Sequence, residues 1–435
     1  MQHGEEKPHL RTCSQSEFSP KLRYGKWTHG IFEKLGDPRS KAVHVLGNSW
    51  QVYYKDDMEC AKKYGKIWGS YEFRKPMLAV MDPDMVKAII VKECFTYFTN
   101  RRNFRLNGDL YDAISIVEDD EWRRIRHILT PSFTSGRIKE MFSLMKHHSS
   151  KLTTSLQSKA CNNEVITVKD FFGAYSMDVM ASCAFSVDVD SINNPSHPLI
   201  KHASKLFKLN PLLFIFQGFF PVREERDRSS HQNADLLQHM INSQTASEAK
   251  KEKQNKGLTD HEIVSQATMF MFADRFHFPK KGSVQYEELM QMEYLDSVVN
   301  ECLRLYPPAG RLERIAKETV KISGITIPKD MLVMVPVYAL HRDPELWPEP
   351  EEFRPDRFSK QNKQSINPYT YLPFGLGPRN CIGMRFALVL IKLAMVEVLQ
   401  NYSFSVCKET EIPLIMDPEG LVGPLKPIKL KLVTR

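Results

Sequence analysis

Apolar residues recur at intervals of three and four from Asp57 to about Phe270. Met85, Ile89 and Ile90 form one such set, and this spacing puts its members on one face of a helix. Short apolar pieces interrupt the pattern, as at residues 77–81, and predict strands. We therefore expect a mainly α protein with small β-sheets.

The carboxyl-terminal third repeats this mixture. A helix is predicted from about Gln285 to the paired prolines at 307 and 308. Alternating residues predict strands within 320–328 and 331–335, and the proline-punctuated segment 342–358 is expected to be irregular. Met384 to Leu399 is a strongly apolar stretch, which predicts a buried helix.

The pattern breaks between these two parts. Residues 250–257 are polar and predict a solvent loop, after which an apolar helix is expected through Ala273. The segment 274–283 has no helical period, and its Pro279 and Gly282 would end a helix. The central helix is therefore expected to stop abruptly.

Composition narrows the class of protein. The 435 residues contain no Gly-, Ser- or Pro-rich linker, which favours one large unit. The net charge of +8 is spread over interleaved signs, so it does not indicate nucleic-acid binding. The eight cysteines are scattered without a Cys-x-x-Cys pair, which favours reduced thiols.

No membrane span is predicted. The first residues are polar and charged, which is unlike a secretory signal or an amino-terminal anchor. The apolar stretch 211–221 is far shorter than the ~20 residues that a spanning helix needs. It could dip into a membrane interface or belong to the core.

The most informative segment is the loop Phe374-Gly-Leu-Gly-Pro-Arg-Asn-Cys-Ile-Gly383, directly before the apolar helix. Its glycines allow the backbone to approach a flat ligand closely. Backbone amides and the helix amino terminus are expected to favour the thiolate of Cys381. Such a thiolate is a candidate axial ligand of haem iron, although a lone cysteine in a Gly-rich turn is more often structural.

Two further motifs accompany the loop. Glu301 and Arg304 lie three residues apart on one helix face, so they can pair with each other and with a third arginine, either Arg354 or Arg357. Trp122 and Arg126 share another helix face and offer an indole donor beside a cation. Each pair alone is commonplace on protein surfaces.

In chain order, the motifs Trp122/Arg126, Glu301/Arg304, 353–358 and 374–383 together resemble those of the cytochrome P450 superfamily. The segments 174–179, 291–296, 338–344 and 378–387 are more closely similar to the vertebrate family-three, subfamily-A monooxygenases. The similarity extends from about Tyr24 to the carboxyl terminus. It implies a polar amino terminus over 1–23 and a single haem-thiolate monooxygenase unit over 24–435.

The resemblance implies a role for each matched residue. Cys381 would be the proximal ligand of the iron of haem b, and Phe374 would pack on the sulfur side of the loop. Glu301 and Arg304 would be structural. The propionate-binding set would be Arg101, Trp122, Arg126, Arg314 and Arg379, and the distal pocket would be lined by Ser115, Phe272, Ala273 and Ala309.

The implied reaction inserts one oxygen atom from O₂ into a large lipophilic molecule, such as a steroid or a xenobiotic. Its electrons would come from NADPH through NADPH–cytochrome P450 reductase, with cytochrome b5 as a second candidate partner. Arg123, Arg124 and neighbouring cations would meet the acidic face of the reductase, unless they form only a solvated basic face. The implied location is the cytoplasmic face of the endoplasmic reticulum membrane.

The chain departs from the family in the central helix. After Phe272-Ala273 the family has a glycine, an acidic residue and a threonine, and the last two relay protons during oxygen activation. Here the sequence runs Asp274-Arg-Phe-His-Phe-Pro279, so no catalytic acid–threonine pair is identified. We expect part of the central helix and the following helix to be deleted near 274–285, and activity to be impaired.

Two smaller departures concern the pocket and the membrane. Residues 220–231 are shorter than the helices that roof the family's pocket, which puts substrate specificity in doubt. The family's hydrophobic anchor is absent from this sequence, so attachment would rest on interfacial surface such as residues 212–220.

Two other functions stay open at this stage. The absence of the acid–threonine pair is compatible with a haem-thiolate isomerase that acts on a peroxide and needs no reductase. It is also compatible with a truncated haem-binding isoform that has no turnover.

Overall fold

The computed structural model describes residues 11–12, 53–72, 75–103, 111–194, 284–417 and 421–435. Within these ranges the chain forms helices and short strands in alternation, which confirms the predicted fold class. The helices are α1 (Tyr53–Tyr64), α2 (Pro83–Lys87), α3 (Asp119–Leu129), α4 (Ser135–Cys161), α5 (Val168–Phe185), α6 (Tyr286–Met290), α7 (Glu293–Leu305), α8 (Val337–Leu340) and α9 (Met384–Leu399).

The strands belong to three small sheets. A five-stranded sheet has the order β1-β2-β3-β8-β5, a three-stranded sheet has the order β4-β10-β9, and β6 and β7 pair as a hairpin. The bounds are β1 (Arg11–Thr12), β2 (Ile67–Glu72), β3 (Lys75–Val80), β4 (Ile166–Thr167), β5 (Leu312–Ile315), β6 (Val320–Ile322), β7 (Ile325–Ile327), β8 (Leu332–Val335), β9 (Tyr402–Ser405) and β10 (Lys429–Thr434).

The five-stranded sheet organises one of the two main cores. Its strand β8 is buried at every position and pairs in parallel with β3 and antiparallel with β5. Apolar residues of α2 and of the π-helical turn that follows it, Ala88–Lys92, pack against this sheet, among them Met85 and Ile90. The β5 strand therefore holds Arg314 beside a rigid apolar layer.

The second main core is helical. Helix α9 packs against α4, and α4 packs against α5, through buried side chains such as Leu152, Val179 and Leu390. A smaller cluster joins α7 to α9 through Val299, Leu303 and Ile391. Helix α9 is thus buried, as its sequence predicted.

The local predictions for the carboxyl-terminal third are largely confirmed. The strand predicted within 331–335 is β8, and 320–328 forms the β6–β7 hairpin. The helix predicted from Gln285 is instead two helices, α6 and α7, which meet at Gln291 and Met292. The Gln291 amide closes α6, and no Pro or Gly marks this break in the sequence.

Several predictions fall outside the described residues. These are the polar run 250–257, the helix through Ala273, the apolar stretch 211–221, the gap near 220–231 and nearly all of the gap near 274–285. Among the helices of the described ranges, none is long and apolar enough to cross a membrane. The division into 1–23 and 24–435 stays a prediction.

The cysteines depart from the expectation of reduced thiols in one place. Cys60 is disulfide-bonded, whereas Cys381 is free. The other free cysteines of the described residues are Cys94, Cys161, Cys183, Cys302 and Cys407.

Candidate active site

The loop before α9 is a closed turn. The Cys381 amide donates to the carbonyl of Phe374 at 2.8 Å, and the Gly375 amide donates to the carbonyl of Leu372 at 3.0 Å. The Asn380 amide donates to the carbonyl of Gly377 at 3.1 Å. These three bonds fix the backbone that leads up to the cysteine.

Two glycines of this turn have left-handed backbone. Gly375 has φ +69° and Gly377 has φ +73°, a region that favours glycine. A Cβ on Gly377 would lie 2.2 Å from the carbonyl oxygen of Ile90 in the π-helical turn. The loop therefore packs directly on that turn, and the packing requires glycine at position 377.

Gly383 is not under the same steric constraint as Gly377. Its φ of −86° is ordinary, and a Cβ there would meet only the Phe133 ring, at 3.9 Å. The structure thus gives no steric reason for glycine at the start of α9. The expectation that Gly383 lets the backbone approach a flat ligand stays a prediction.

The Cys381 thiol is held among opposing influences. Burial raises its pKa, while a bond with the Gly383 backbone and the charges of Arg101 and Arg126 lower it. Burial outweighs the rest, so the pKa of the thiol lies above its ordinary value, while the Gly383 backbone acts in the direction expected of the loop amides. A cation or metal ion beside the sulfur would lower this pKa further.

Arg379 ties the loop to the α3 region. Its guanidinium donates to the carbonyls of Thr99, Ile114 and Val117 at 2.8, 3.1 and 2.6 Å. It lies 4.2 Å from the centre of the Trp122 ring. Burial, and after it repulsion from two other arginines, lowers the pKa of Arg379 to about 9.

Arg126 and Arg101 hold the same loop from two other sides. Arg126 donates to the backbone carbonyl and the side-chain oxygen of Asn380 at 2.8 and 2.7 Å. Arg101 donates to the carbonyl of Arg379 at 2.8 Å. Burial lowers the pKa of both guanidinium groups, and the nearby sulfur of Cys381 opposes that effect.

Arg314 is the least satisfied member of the group. It is 3% exposed and donates only to the carbonyl of its neighbour Glu313, at 2.8 Å. Its Nε has no acceptor in the described part of the structure. Burial, and after it repulsion from Arg101, lowers the pKa of Arg314 to about 10.

We call these four residues, Arg101, Arg126, Arg314 and Arg379, the arginine cluster. Among the described residues no carboxylate bonds to any of them. A buried cation without an anion is costly, which indicates that the cluster is built for an anionic group that the described residues do not supply. Two propionates, with a thiol ligand beside them, have this chemistry, so the residues present fit haem.

The remaining predicted residues are placed as follows. Trp122 is buried beneath Arg379, and Ser115 is half-buried in the turn whose flanking carbonyls accept from Arg379. Ala309 is half-buried between α7 and β5. Phe272 and Ala273 lie outside the described residues, so a distal pocket cannot be assembled from the set.

Glu301 and Arg304 form a second, fully buried group. Arg304 donates to both oxygens of Glu301 at 2.8 Å, and its remaining donors reach the carbonyls of His341, Pro350 and Glu352. Position 304 and position 301 are both 0% exposed. The sequence predicted that either Arg354 or Arg357 would pair with Glu301, and both residues bond to it.

Arg357 supplies the side chain and Arg354 the backbone. Nε of Arg357 lies 3.3 Å from Oε1 of Glu301, and the Arg354 amide donates to the same oxygen at 2.9 Å. The guanidinium of Arg354 instead pairs with Glu349. We call Glu301, Arg304 and Arg357 the ion triad.

The ion triad lies behind the cysteine loop. Phe374 packs into the small cluster of Val299, Leu303 and Ile391 that joins α7 to α9. This contact couples the helix that carries the triad to the first residues of the loop. The expected packing of Phe374 on the sulfur side of the loop stays a prediction.

The basic face of α3 is partly occupied by internal contacts. Arg123 is exposed, pairs with Asp120, donates to the carbonyl of Phe95 at 3.2 Å and lies over the Phe95 ring. Arg124 is half-buried. Both remain candidates for partner contact.

Some residues of the site were not singled out by sequence. Asn380 accepts hydrogen bonds from Arg126 through its backbone and side-chain oxygens. Its position directly before Cys381 is the sequence feature that could have identified it. The buried thiol of Cys94 lies near Arg314 and Arg379, whose charges oppose the rise that burial causes in its pKa. No sequence pattern connects Cys94 to those arginines.

The comparisons agree with this geometry. The cytochrome P450 family model matches residues 38–223 and 275–432. The chain belongs to the cytochrome P450 family. It is a cytochrome P450 monooxygenase with haem b as its cofactor. Membership of the family implies, in general terms, a redox partner and lipophilic substrates.

Similar proteins include fish and mammalian relatives. Cytochrome P450 3A27 of Oncorhynchus mykiss is 52% identical over 476 residues, which cover 95% of this chain and 92% of the relative. Cytochrome P450 3A30 of Fundulus heteroclitus is 51% identical, covering 95% and 96%. Cytochrome P450 3A29 of Sus scrofa is 45% identical, covering 95% and 94%.

Proposed function

We propose that the cysteine loop and the arginine cluster hold haem between them. Cys381 supplies the proximal sulfur ligand, and Arg101, Arg126, Arg314 and Arg379 bind the propionates, with Trp122 supporting Arg379 from below. The observation that carries this proposal is that, within the ranges that the structure describes, no carboxylate bonds to the arginine cluster and the buried Nε of Arg314 has no acceptor.

The residues around the sulfur serve three purposes. The turn from Phe374 to Cys381 orients the thiol, and Arg101 and Arg126 lower its pKa through space. Phe374 packs on the α7–α9 cluster and keeps water from that side. When haem is bound, its iron supplies oxygen activation, and a cysteine ligand favours cleavage of the O–O bond.

The reaction that we propose is insertion of one oxygen atom from O₂ into large lipophilic substrates, including steroids and xenobiotics. Electrons would come from NADPH through NADPH–cytochrome P450 reductase, with cytochrome b5 as a second donor. Exposed Arg123 and half-buried Arg124 support this assignment because α3 also carries Arg126, whose guanidinium reaches the cysteine loop.

We further propose that turnover is impaired. The residues after Ala273 are Asp274-Arg275-Phe276 and include no acid–threonine pair for proton delivery. The alignment with the trout relative spans 476 positions, more than the 435 residues of this chain, so that relative has residues without a counterpart here. The family model also leaves residues 224–274 unmatched.

The proposed location is the cytoplasmic face of the endoplasmic reticulum membrane. The support is the similarity to the family, together with the apolar stretch 211–221 as a surface that could enter the interface. Fractionation of cells that express the tagged chain tests this location. Recovery in the microsomal fraction is expected, and recovery in the cytosolic fraction would contradict it.

Turnover assays test the reaction. With reductase and NADPH, we expect slow oxidation of a lipophilic steroid and release of peroxide from unproductive oxygen reduction. Rapid conversion of a hydroperoxide without reductase would instead indicate an isomerase. The Cys381→Ser variant should lose activity in both assays, because a serine oxygen does not replace the thiolate donor.

A further inference from the structure

A buried histidine connects the ion triad to the cysteine loop. His341 follows α8 and is 0% exposed. Its Nδ1 lies 3.1 Å from the carbonyl oxygen of Arg304, and its Nε2 accepts from the Leu372 amide at 2.8 Å. One side chain thus bonds to the backbone of α7 and to the backbone at the start of the loop.

The two bonds fix the protonation of the ring. Because the Leu372 amide is a donor, Nε2 must be the unprotonated nitrogen, and Nδ1 then carries the proton that is donated to Arg304. Burial lowers the pKa of His341 to about 3, which is consistent with a neutral ring. A charged ring would have no acceptor for the Leu372 amide.

The connection to Arg304 is reciprocal. The Arg304 guanidinium donates to the carbonyl of His341 at 2.8 Å, while the His341 ring donates to the carbonyl of Arg304. The Tyr371 ring stacks on His341 at 5.3 Å, and Trp347 meets its edge at 6.5 Å. The ring therefore has little freedom to rotate.

From His341 the hydrogen bonds continue to the cysteine. Leu372 is 1% exposed, its carbonyl accepts from the Gly375 amide, and the Phe374 carbonyl accepts from the Cys381 amide. The buried Leu372 amide has His341 as its acceptor. Removing that acceptor leaves a buried donor unpaired at the base of the turn, and the turn must shift to satisfy it.

We propose that His341 is a positioning residue that holds the cysteine loop in the geometry that ligates iron. It acts through the Leu372 amide and has no contact with the sulfur. This inference rests on the proposed role of Cys381. The chemistry that matters is a neutral hydrogen-bond acceptor at the position of Nε2.

Two matched substitutions separate the two ends of the ring. His341→Gln can place its side-chain oxygen near the position of Nε2 and so keep an acceptor for Leu372. His341→Asn reaches only the position of Nδ1, keeps a donor for the Arg304 carbonyl and loses the acceptor. His148→Asn is the control, because His148 is 2% exposed and bonds to Ser182, far from the loop in sequence and in the α4–α5 core.

The readout is the spectrum of the haem-loaded protein, reduced and exposed to carbon monoxide. The ratio of the strongly red-shifted Soret band to the band of a neutral ligand should fall about tenfold in His341→Asn, an effect of the size expected for an unpaired buried amide. It should stay within about twofold in His341→Gln and His148→Asn. Haem content and melting temperature are measured on the same samples.

Two results would overturn the inference. Equal ratios in the Asn and Gln variants would show that the Leu372 bond does not position the sulfur. A lower melting temperature in His341→Asn with an unchanged ratio would assign His341 a purely structural role. Failure of the proposed ligand is distinguishable, because Cys381→Ser would then retain the red-shifted band.

Discussion

The ion triad and the arginine cluster are both rich in arginine and both largely buried, yet they differ in charge balance. The cluster bonds directly to the segment that carries Cys381, whereas the triad lies on α7, whose Val299 and Leu303 pack on Phe374. In the triad every donor of Arg304 has an acceptor, and a carboxylate faces the guanidinium. In the cluster the acceptors found among the described residues are carbonyls and an amide oxygen, and the buried Nε of Arg314 has no acceptor there.

This difference separates a structural site from a binding site. A buried charge whose partner is in the same chain contributes to folding, and its removal destabilises the protein. A buried charge without a partner lowers the stability of the protein until a ligand supplies the opposite charge. The comparison therefore assigns the triad to the scaffold and the cluster to the cofactor.

The largest expected effect comes from breaking the balanced region. Arg304→Ala leaves Glu301 as a buried carboxylate that keeps only part of its partners, and should lower the free energy of unfolding by about 3–5 kcal/mol. Chemical denaturation of the apoprotein measures this loss. Arg354→Ala is the control, because its backbone amide still bonds to Glu301 and its half-exposed side chain should contribute under about 1 kcal/mol.

A smaller loss of stability is expected from Gly377→Ala, which strains the cysteine loop beside the arginine cluster. The new methyl group would clash with the Ile90 carbonyl, and φ of +73° disfavours alanine. We expect a loss of about 2–4 kcal/mol and poor haem retention. Gly383→Ala should be tolerated within about 1 kcal/mol, since its nearest neighbour is 3.9 Å away; equal losses in the two variants would contradict the loop geometry.

Lowering the pH should destabilise the fold through His341, which bonds to Arg304 of the ion triad. Burial lowers its pKa in the folded state to about 3, below the ordinary value of 6.5, so the unfolded chain binds more protons as the pH falls. Stability is then full above about pH 6.5 and falls by about 2 kcal/mol between pH 7 and pH 5. The same holds for His148, with a pKa of about 4. Denaturation curves of His341→Gln should show a shallower acid loss, and an unchanged slope would contradict the neutral buried ring.

The smallest effect on folding, and the one of opposite sign, should come from Arg314→Met. Because no described carboxylate pairs with this buried cation, its removal should raise the stability of the apoprotein by about 1 kcal/mol. The same change should weaken haem binding about tenfold, because a charge-assisted bond to a propionate is lost. Apoprotein denaturation and haem titration measure the two effects. Loss of apoprotein stability together with unchanged haem affinity would place Arg314 in the scaffold.

Sequence patterns predicted the local structure well where a run of apolar residues or the spacing of a residue pair determines it. The buried helix over 384–399 and the strand β8 have the predicted positions because their apolar runs are long or bounded by turn residues. The motif pairs Glu301/Arg304 and Trp122/Arg126 were visible because helical spacing brings them together.

Features that depend on distant contacts could not be predicted. The break between α6 and α7 has no Pro or Gly, and the π-helical turn that contacts Gly377 has no distinctive sequence. The bridge of His341 joins residues 31 and 37 positions away. The unbalanced charge of the arginine cluster emerges only when four separate segments meet.

The most direct test of the account is the absorption spectrum of the purified chain, reduced and exposed to carbon monoxide, with its haem stoichiometry. The account predicts one haem per chain and a strongly red-shifted Soret band, because Cys381 and the arginine cluster are both in place. A chain without haem, or with the band of a neutral ligand, would contradict it.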